Sequence, residues 1–159
     1  MNKALIIKQI VAGLGESLAV LQKAAQASRA EATHESSKAE NKYDTRGLEA
    51  SYLAGGQMRQ AKEIMDAIHL YESLALKKFA AGDEIDLTAL VELENDNVSG
   101  YYFIGPKSGG LEVMVGKKEI MVITPQSPLG QNLMGKKAGE KWVAQLGGVK
   151  VKYCVVTVE

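Results

Sequence analysis

Ala32-Thr33-His34-Glu35-Ser36-Ser37-Lys38-Ala39-Glu40-Asn41-Lys42-Tyr43-Asp44-Thr45-Arg46 is the stretch on which the fold turns. It is polar and rich in side chains that cap helices. Between Leu21 and Leu48 there is no Val, Ile, Leu, Met, Phe or Trp, and Tyr43 is the only large ring. On either side, apolar residues return at helical spacing. Upstream they fall at Ile7, Val11, Leu14, Leu18, Leu21 and Ala25, in alternating steps of four and three. That is a heptad seam. Downstream a looser seam runs through Leu48, Tyr52, Met58, Ala61, Met65, Ile68, Tyr71 and Leu74. The pattern predicts a second helix from about residue 44 or 45 to about residue 80. Two helices of roughly 30–35 residues would each be about 45–50 Å long, and a short connection makes them antiparallel neighbours. Residues 1–80 therefore read as a helical hairpin, a coiled coil with its tip at about 33–45.

Gly13 and Gly15 interrupt the first helix, each at a cost of about 1 kcal/mol against alanine. Gly55-Gly56 in the second predicts a bend or a close helix–helix approach. The distal end of the hairpin has little to bury, so it is expected to project into water or into a partner. Its tip carries three carboxylates, Glu35, Glu40 and Asp44. Two readings fit them: a solvated turn with capping acids, or a carboxylate pair that presents a divalent cation or a water to another protein's active site.

Beyond residue 82 the periodicity changes from helical to strand-like. Runs at 90–94, 101–104, 111–115, 120–123 and 149–158 are β-branched or aromatic. Glycine-rich turns separate them: Gly105-Pro106-Lys107-Ser108-Gly109-Gly110, Gly116-Lys117-Lys118 and Gly147-Gly148. Ser127 suits an N-cap, Pro128 a first helical position and Gly135 the residue past the end, so residues 127–135 read as one short helix. Trp142 in Lys141-Trp142-Val143 reads as a core or half-buried strand residue. Five strands and one helix over 83–159 make the whole an α+β chain of two domains.

Composition bounds the chemistry. Lysines and arginines balance aspartates and glutamates, with formal net charge +0, so the chain is not globally a polyanion binder. The first 80 residues carry eleven bases against nine acids, and the remainder eight against ten. All three arginines lie in the first half and all three prolines in the second. Cys154 is the single cysteine and sits in a β-branched run, as a small strand residue. The N-terminus does not read as a signal peptide, and no apolar run approaches the ~20 residues of a membrane span. A soluble, reducing, cytoplasmic setting without a membrane partner is expected. His34 and His69 are too far apart for a metal cluster, no Gly-Lys-Ser/Thr phosphate loop is present, and no serine stands in a triad pattern. The chain does not read as a self-contained enzyme.

The segment Ile123-Thr124-Pro125-Gln126-Ser127-Pro128-Leu129-Gly130-Gln131-Asn132-Leu133-Met134-Gly135-Lys136-Lys137-Ala138-Gly139-Glu140 resembles the C-terminal motif of the Gre-type bacterial transcription elongation factors. In that family a strand ends in Ser-Pro-Ile/Leu-Gly, a short helix runs to Leu-x-Gly-Lys, and Gly-Asp/Glu follows. Tyr102-Phe103-Ile104-Gly105-Pro106 resembles the family's preceding strand and glycine. The resemblance implies an N-terminal antiparallel coiled coil and an FKBP-like domain. It also implies docking of that domain on bacterial RNA polymerase at the rim of the secondary channel, with Ser127, Pro128, Leu129 and Gly130 in the docking motif.

The coiled coil would reach the catalytic Mg2+, which belongs to the polymerase; the factor holds no stable cofactor or metal of its own. Tip acids, Glu40 with Asp44 or Glu35, would help hold a second metal and a water while the polymerase hydrolyses backtracked RNA. Arg29, Arg46 and Arg59 would form a basic strip on the nascent RNA. The family's tip reads approximately Gly-Asp-Leu-x-Glu-Asn-Ala-Glu-Tyr. Glu40-Asn41 matches it, Tyr43 stands one place early, and the first acid falls at Ser37, beside Lys38. Two functions remain open: a cleavage-stimulating elongation factor, and a non-cleaving channel binder that competes with cleavage factors. A peptidyl-prolyl isomerase, suggested by the FKBP-like fold alone, is a remote third.

Overall fold

A computed structural model describes residues 1–33, 46–95, 98–146 and 149–159. Its elements are α1 (Lys3–Thr33), α2 (Arg46–Glu72), β1 (Leu90–Asn95), β2 (Val98–Ile104), β3 (Glu112–Val115), β4 (Lys118–Ile123), α3 (Pro128–Leu133), β5 (Lys141–Leu146) and β6 (Val149–Val158). The chain divides into two compact units, Met1–Ile10 with Leu70–Glu159, and Val11–His69.

The Val11–His69 unit comprises most of α1 and α2. Among the described residues the buried positions are Leu14 and four alanines, Ala25, Ala54, Ala61 and Ala67. The α1 stripe begins at Ile6 and Ile10, both fully buried, one residue before the expected Ile7 and Val11. Along α2 and the turn after it, the expected seam holds at Ala61, Ile68, Tyr71 and Leu74, which are buried or half-buried, and fails at its other four positions. Leu48, Tyr52, Met58 and Met65 are exposed, while positions 54, 57, 61, 64, 68 and 71 are buried or half-buried, a cleaner alternation of threes and fours. Gln57 sits in that seam, and its Oε1 is buried without a hydrogen-bond partner. Gly55 and Gly56 mark no close approach. The helix runs on through them, and a Cβ at either position meets nothing within 4 Å.

α2 ends at Glu72, short of the expected residue 80. Ser73 Oγ donates to Leu70 O at 3.2 Å and Leu74 N to Tyr71 O at 3.3 Å, a turn that competes with helix continuation. The chain then runs extended, with Lys77 N donating to Thr88 Oγ1 at 3.0 Å. Thr88 is buried at a φ of 72°, a strained conformation for a non-glycine residue.

α1 is also long and apolar enough over Lys3–Ala30 to cross a membrane by length and composition, contrary to the reading of the sequence. Much of that apolarity is alanine, spread around a helix that buries Ile6, Ile10, Leu14 and Ala25 within the protein.

The sheet has six strands in the order β3-β4-β2-β1-β6-β5. Among the described strands only β2 and β4 pair in parallel, with Phe103 opposite Val122. The sixth strand, β5, pairs with β6 so that Trp142 faces Tyr153 and their rings stack at 5.1 Å. One face carries the main core: Val91, Leu93, Ile104, Ile123, Tyr153 and Val155, closed by Ile85, Ala89 and Leu133. By alternation Leu90, Phe103, Ile120 and Val122 are buried on the other face.

Tyr71, 1% exposed in the last turn of α2, reaches the β2–β4 end, where its phenol donates to Lys107 O at 2.6 Å. A Cβ at Gly105 would overlap that phenol oxygen and lie 2.9 Å from Val122 Cγ1, so the residue closing β2 must be glycine. Gly105→Ala is expected to destabilise the protein by about 2 kcal/mol through overpacking, read as a fall in the urea midpoint at unchanged slope.

Burial pushes the Tyr71 phenol up to about 12. Because the folded state holds the proton more tightly, this contribution is complete below pH 10 and is lost as pH rises towards 12. Urea titrations between pH 9 and 12 should show a steeper alkaline loss for the wild type than for Tyr71→Phe. Equal slopes would remove the assignment.

Candidate functional site

The turn into α3 is assembled from local hydrogen bonds. Ser127 is extended (φ −67°, ψ 154°) and caps the helix. Its hydroxyl accepts from Gly130 N at 3.1 Å and donates to Thr124 O at 2.8 Å. Ser127 N also donates to Thr124 O, at 3.0 Å. Pro128 at the first helical position removes an N–H that would have had no helical partner. Asn132 Nδ2 donates to Pro128 O at 2.7 Å, and Gln131 Nε2 to Gln126 O at 3.0 Å. The exit is equally fixed. Gly135 adopts φ 78° and donates to Ile85 O at 2.9 Å, while Ile85 N donates to Lys136 O at 2.7 Å.

The four residues of the Ser-Pro-Leu-Gly motif thus come together on one turn, with different duties. The Ser127 hydroxyl is occupied internally on both sides. Gly130 is buried, because a Cβ would overlap Thr124 O and lie 3.0 Å from Ser127 Oγ. Leu129 packs against the main core. What the turn offers outward is the Pro128 ring, with the exposed Gln126, Gln131 and Asn132 around it. The nearby lysines are partly neutralised: Lys136 lies 3.8 Å from Glu140 and Lys137 lies 3.6 Å from Glu84.

The other candidates are spread along the hairpin. Arg29 is exposed on α1 and Arg59 on α2. Arg46 opens α2, thirteen positions before Arg59, or about 20 Å along the axis. Glu35, Glu40, Asp44 and Ser37 all lie outside the described residues, as does the rest of the tip between 34 and 45. Among the described residues no group of three His, Cys, Asp or Glu side chains is placed to hold a metal ion. Thr88 escaped the reading of the sequence; Tyr71 was read as a seam residue and Gly105 as a turn residue, but not the contact between them. Gly105 had a signal, a glycine directly after an apolar strand; a tyrosine in a helical stripe has none.

Residues 80–159 match the family described as "Transcription elongation factor, GreA/GreB, C-term". The chain belongs to the GreA/GreB transcription elongation factors, a family of accessory factors. Among solved structures it is similar to Gfh1 of Thermus aquaticus, with 22% identity over 95% of this chain and 92% of that one, at a TM-score of 0.39. It is also similar to GreA factor homolog 1 of Thermus thermophilus (20% identity, 94% of each chain, TM-score 0.37). A third is the GreA/GreB elongation factor of Nitrosomonas europaea (16% identity, 74% of this chain and 94% of that one, TM-score 0.38). No curated protein matches the sequence.

Proposed function

We propose that this protein binds bacterial RNA polymerase through its secondary channel and stimulates cleavage of backtracked RNA by the polymerase. The family match over residues 80–159 carries this reading, supported by a preorganised turn that holds Pro128 outward on a bonded frame. The β-sheet unit docks, and the hairpin delivers Glu40, with Asp44 or Glu35, to the polymerase's own Mg2+. An acid in bulk water adds little to catalysis; in a confined two-metal site it orients a metal and a water. The basic strip of Arg29, Arg46 and Arg59 attracts the extruded RNA through its phosphates. The hydrolysis belongs to the polymerase, in the cytoplasm.

One observation favours a second reading. Ser37 occupies the family's first acid position and Lys38 places a positive charge beside it, which suits a non-cleaving channel binder. The test is a transcript-cleavage assay on stalled elongation complexes. Shortened RNA on addition of the wild-type protein supports cleavage. Unshortened RNA, with inhibition of a cleavage-competent factor, supports the second reading instead.

A further inference from the structure

β5 closes the sheet at one end of the order β3-β4-β2-β1-β6-β5. Its register with β6 is regular, from Lys141 opposite Cys154 to Leu146 opposite Val149. Among the described residues no backbone hydrogen bond joins its outer side to another segment. Such an edge presents a row of unpaired N–H and C=O groups, which sheets commonly blunt with a bulge, a proline, an inward charge or a very short strand. β5 has none of these. It is six residues long, unbulged and free of proline. Trp142 and Ala144, which pack against the core, are uncharged. Val143 on the opposite face is 56% exposed, and the one charge, Lys141, stands at the first position. β3, at the other end of the sheet, has only four residues and carries Glu112.

We propose that a second copy of this chain pairs with β5 along that edge, antiparallel about a two-fold axis at Val143, so that two sheets join into one. The pattern of the strand selects this occupant and this register. Val143 meets its own counterpart at the axis. On the core face each Trp142 stands opposite the other copy's Ala144, a large side chain beside a small one. A shift of one residue would turn the core face of one copy towards the outer face of the other. Charge selects the sense. Antiparallel strands put the two Lys141 residues at opposite ends, about 14 Å apart along the strands, whereas an in-register parallel pair puts them side by side. An isologous contact closes at two copies and leaves no β5 edge open. A contact of this size makes a reversible dimer. The inference goes beyond the polymerase reading and does not depend on it.

The test is sedimentation equilibrium of the full chain at concentrations up to about 500 μM. The wild type should pass reversibly from monomer to dimer. Val143→Lys sets two like charges directly opposite each other at the axis and should weaken the dimer at least about ten-fold. Val143→Glu should do the same. The side chain is exposed, so both variants should keep the wild-type Tm in dilute solution. Mixed in equal amounts they should dimerise again, because only the mixed pair places Lys against Glu. Amide exchange along β5 of the wild type, which needs no variant, should slow as concentration rises. A wild type that stays monomeric, with β5 exchange independent of concentration, overturns the proposal and leaves the edge to a strand of another protein. A dimer unaffected by either charge, or variants that stay monomeric when mixed, overturns it as well.

Discussion

Gly130→Ala should lower the melting temperature by roughly 6–12 °C. The added methyl would overlap Thr124 O and crowd both the Thr124 carbonyl carbon, at 2.9 Å, and Ser127 Oγ. Two of these are backbone atoms of the same tight turn, and neither can rotate away. Relief requires Ser127 to release Thr124 O and Gly130 N, and the first turn of α3 to shift off the core that Leu129 and Leu133 help to close. Overpacking of this kind costs about 3 kcal/mol, and for a chain of this size each kcal/mol moves the transition by roughly 2–4 °C. Ser127→Ala, which removes only the cap, should cost about 1 kcal/mol. Calorimetry of the two variants orders them. A Gly130→Ala melt equal to that of Ser127→Ala would show that the turn relaxes without leaving the core.

Glu40→Ala should reduce cleavage of backtracked RNA by about 100-fold or more without weakening polymerase binding. A carboxylate that helps hold a metal and a water contributes several kcal/mol in the transition state, and each 1.36 kcal/mol is a factor of ten in rate. Binding should be spared, because the loss falls on one side chain at the tip of the hairpin and not on the α3 turn. Ser37→Asp should act in the opposite direction. It restores an acid at the position where the family has one and offsets the charge of Lys38, so it should raise the cleavage rate above that of the wild type. Single-turnover cleavage on stalled complexes measures both. Undiminished cleavage by Glu40→Ala removes that residue from the site.

The α3 turn was legible from the sequence because its determinants are local. Ser127, Pro128 and Gly135 each carry a backbone preference that names their place, and all three stand where those preferences put them. The strands of the core were legible for the same reason, since Leu90–Glu94 and Ile120–Ile123 are apolar runs bounded by turns. β5 was not counted among them. Its sequence, Lys-Trp-Val-Ala-Gln-Leu, is short and half polar, and what makes it a strand is the register with β6 and the stacking of Trp142 on Tyr153.

The phase of α2 was misread in part, for a different reason. Tyr52, Met58 and Met65 look like seam residues by size, but the N-terminal part of the buried face is Ala54, Gln57 and Ala61, which carry almost no hydropathy signal. A local turn at Ser73 and Leu74 closes α2. Nothing near Tyr71 in sequence announces that its phenol is bonded to Lys107 O. The docking motif was read as a unit, yet its four residues divide. Ser127, Leu129 and Gly130 build the turn, and Pro128 is the part a partner can touch.

The central claim is that this chain binds RNA polymerase through the surface around Pro128. Pro128→Asp tests it most directly, because an acid in the first turn of a helix is favourable to that helix while it places a charge at the centre of the docking surface. In a titration of labelled protein against core polymerase, the wild type should bind saturably at one copy per enzyme. Pro128→Asp, folded to the same melting temperature, should bind at least ten times more weakly. Saturable binding that is identical for the two proteins, or no binding by the wild type, would contradict it.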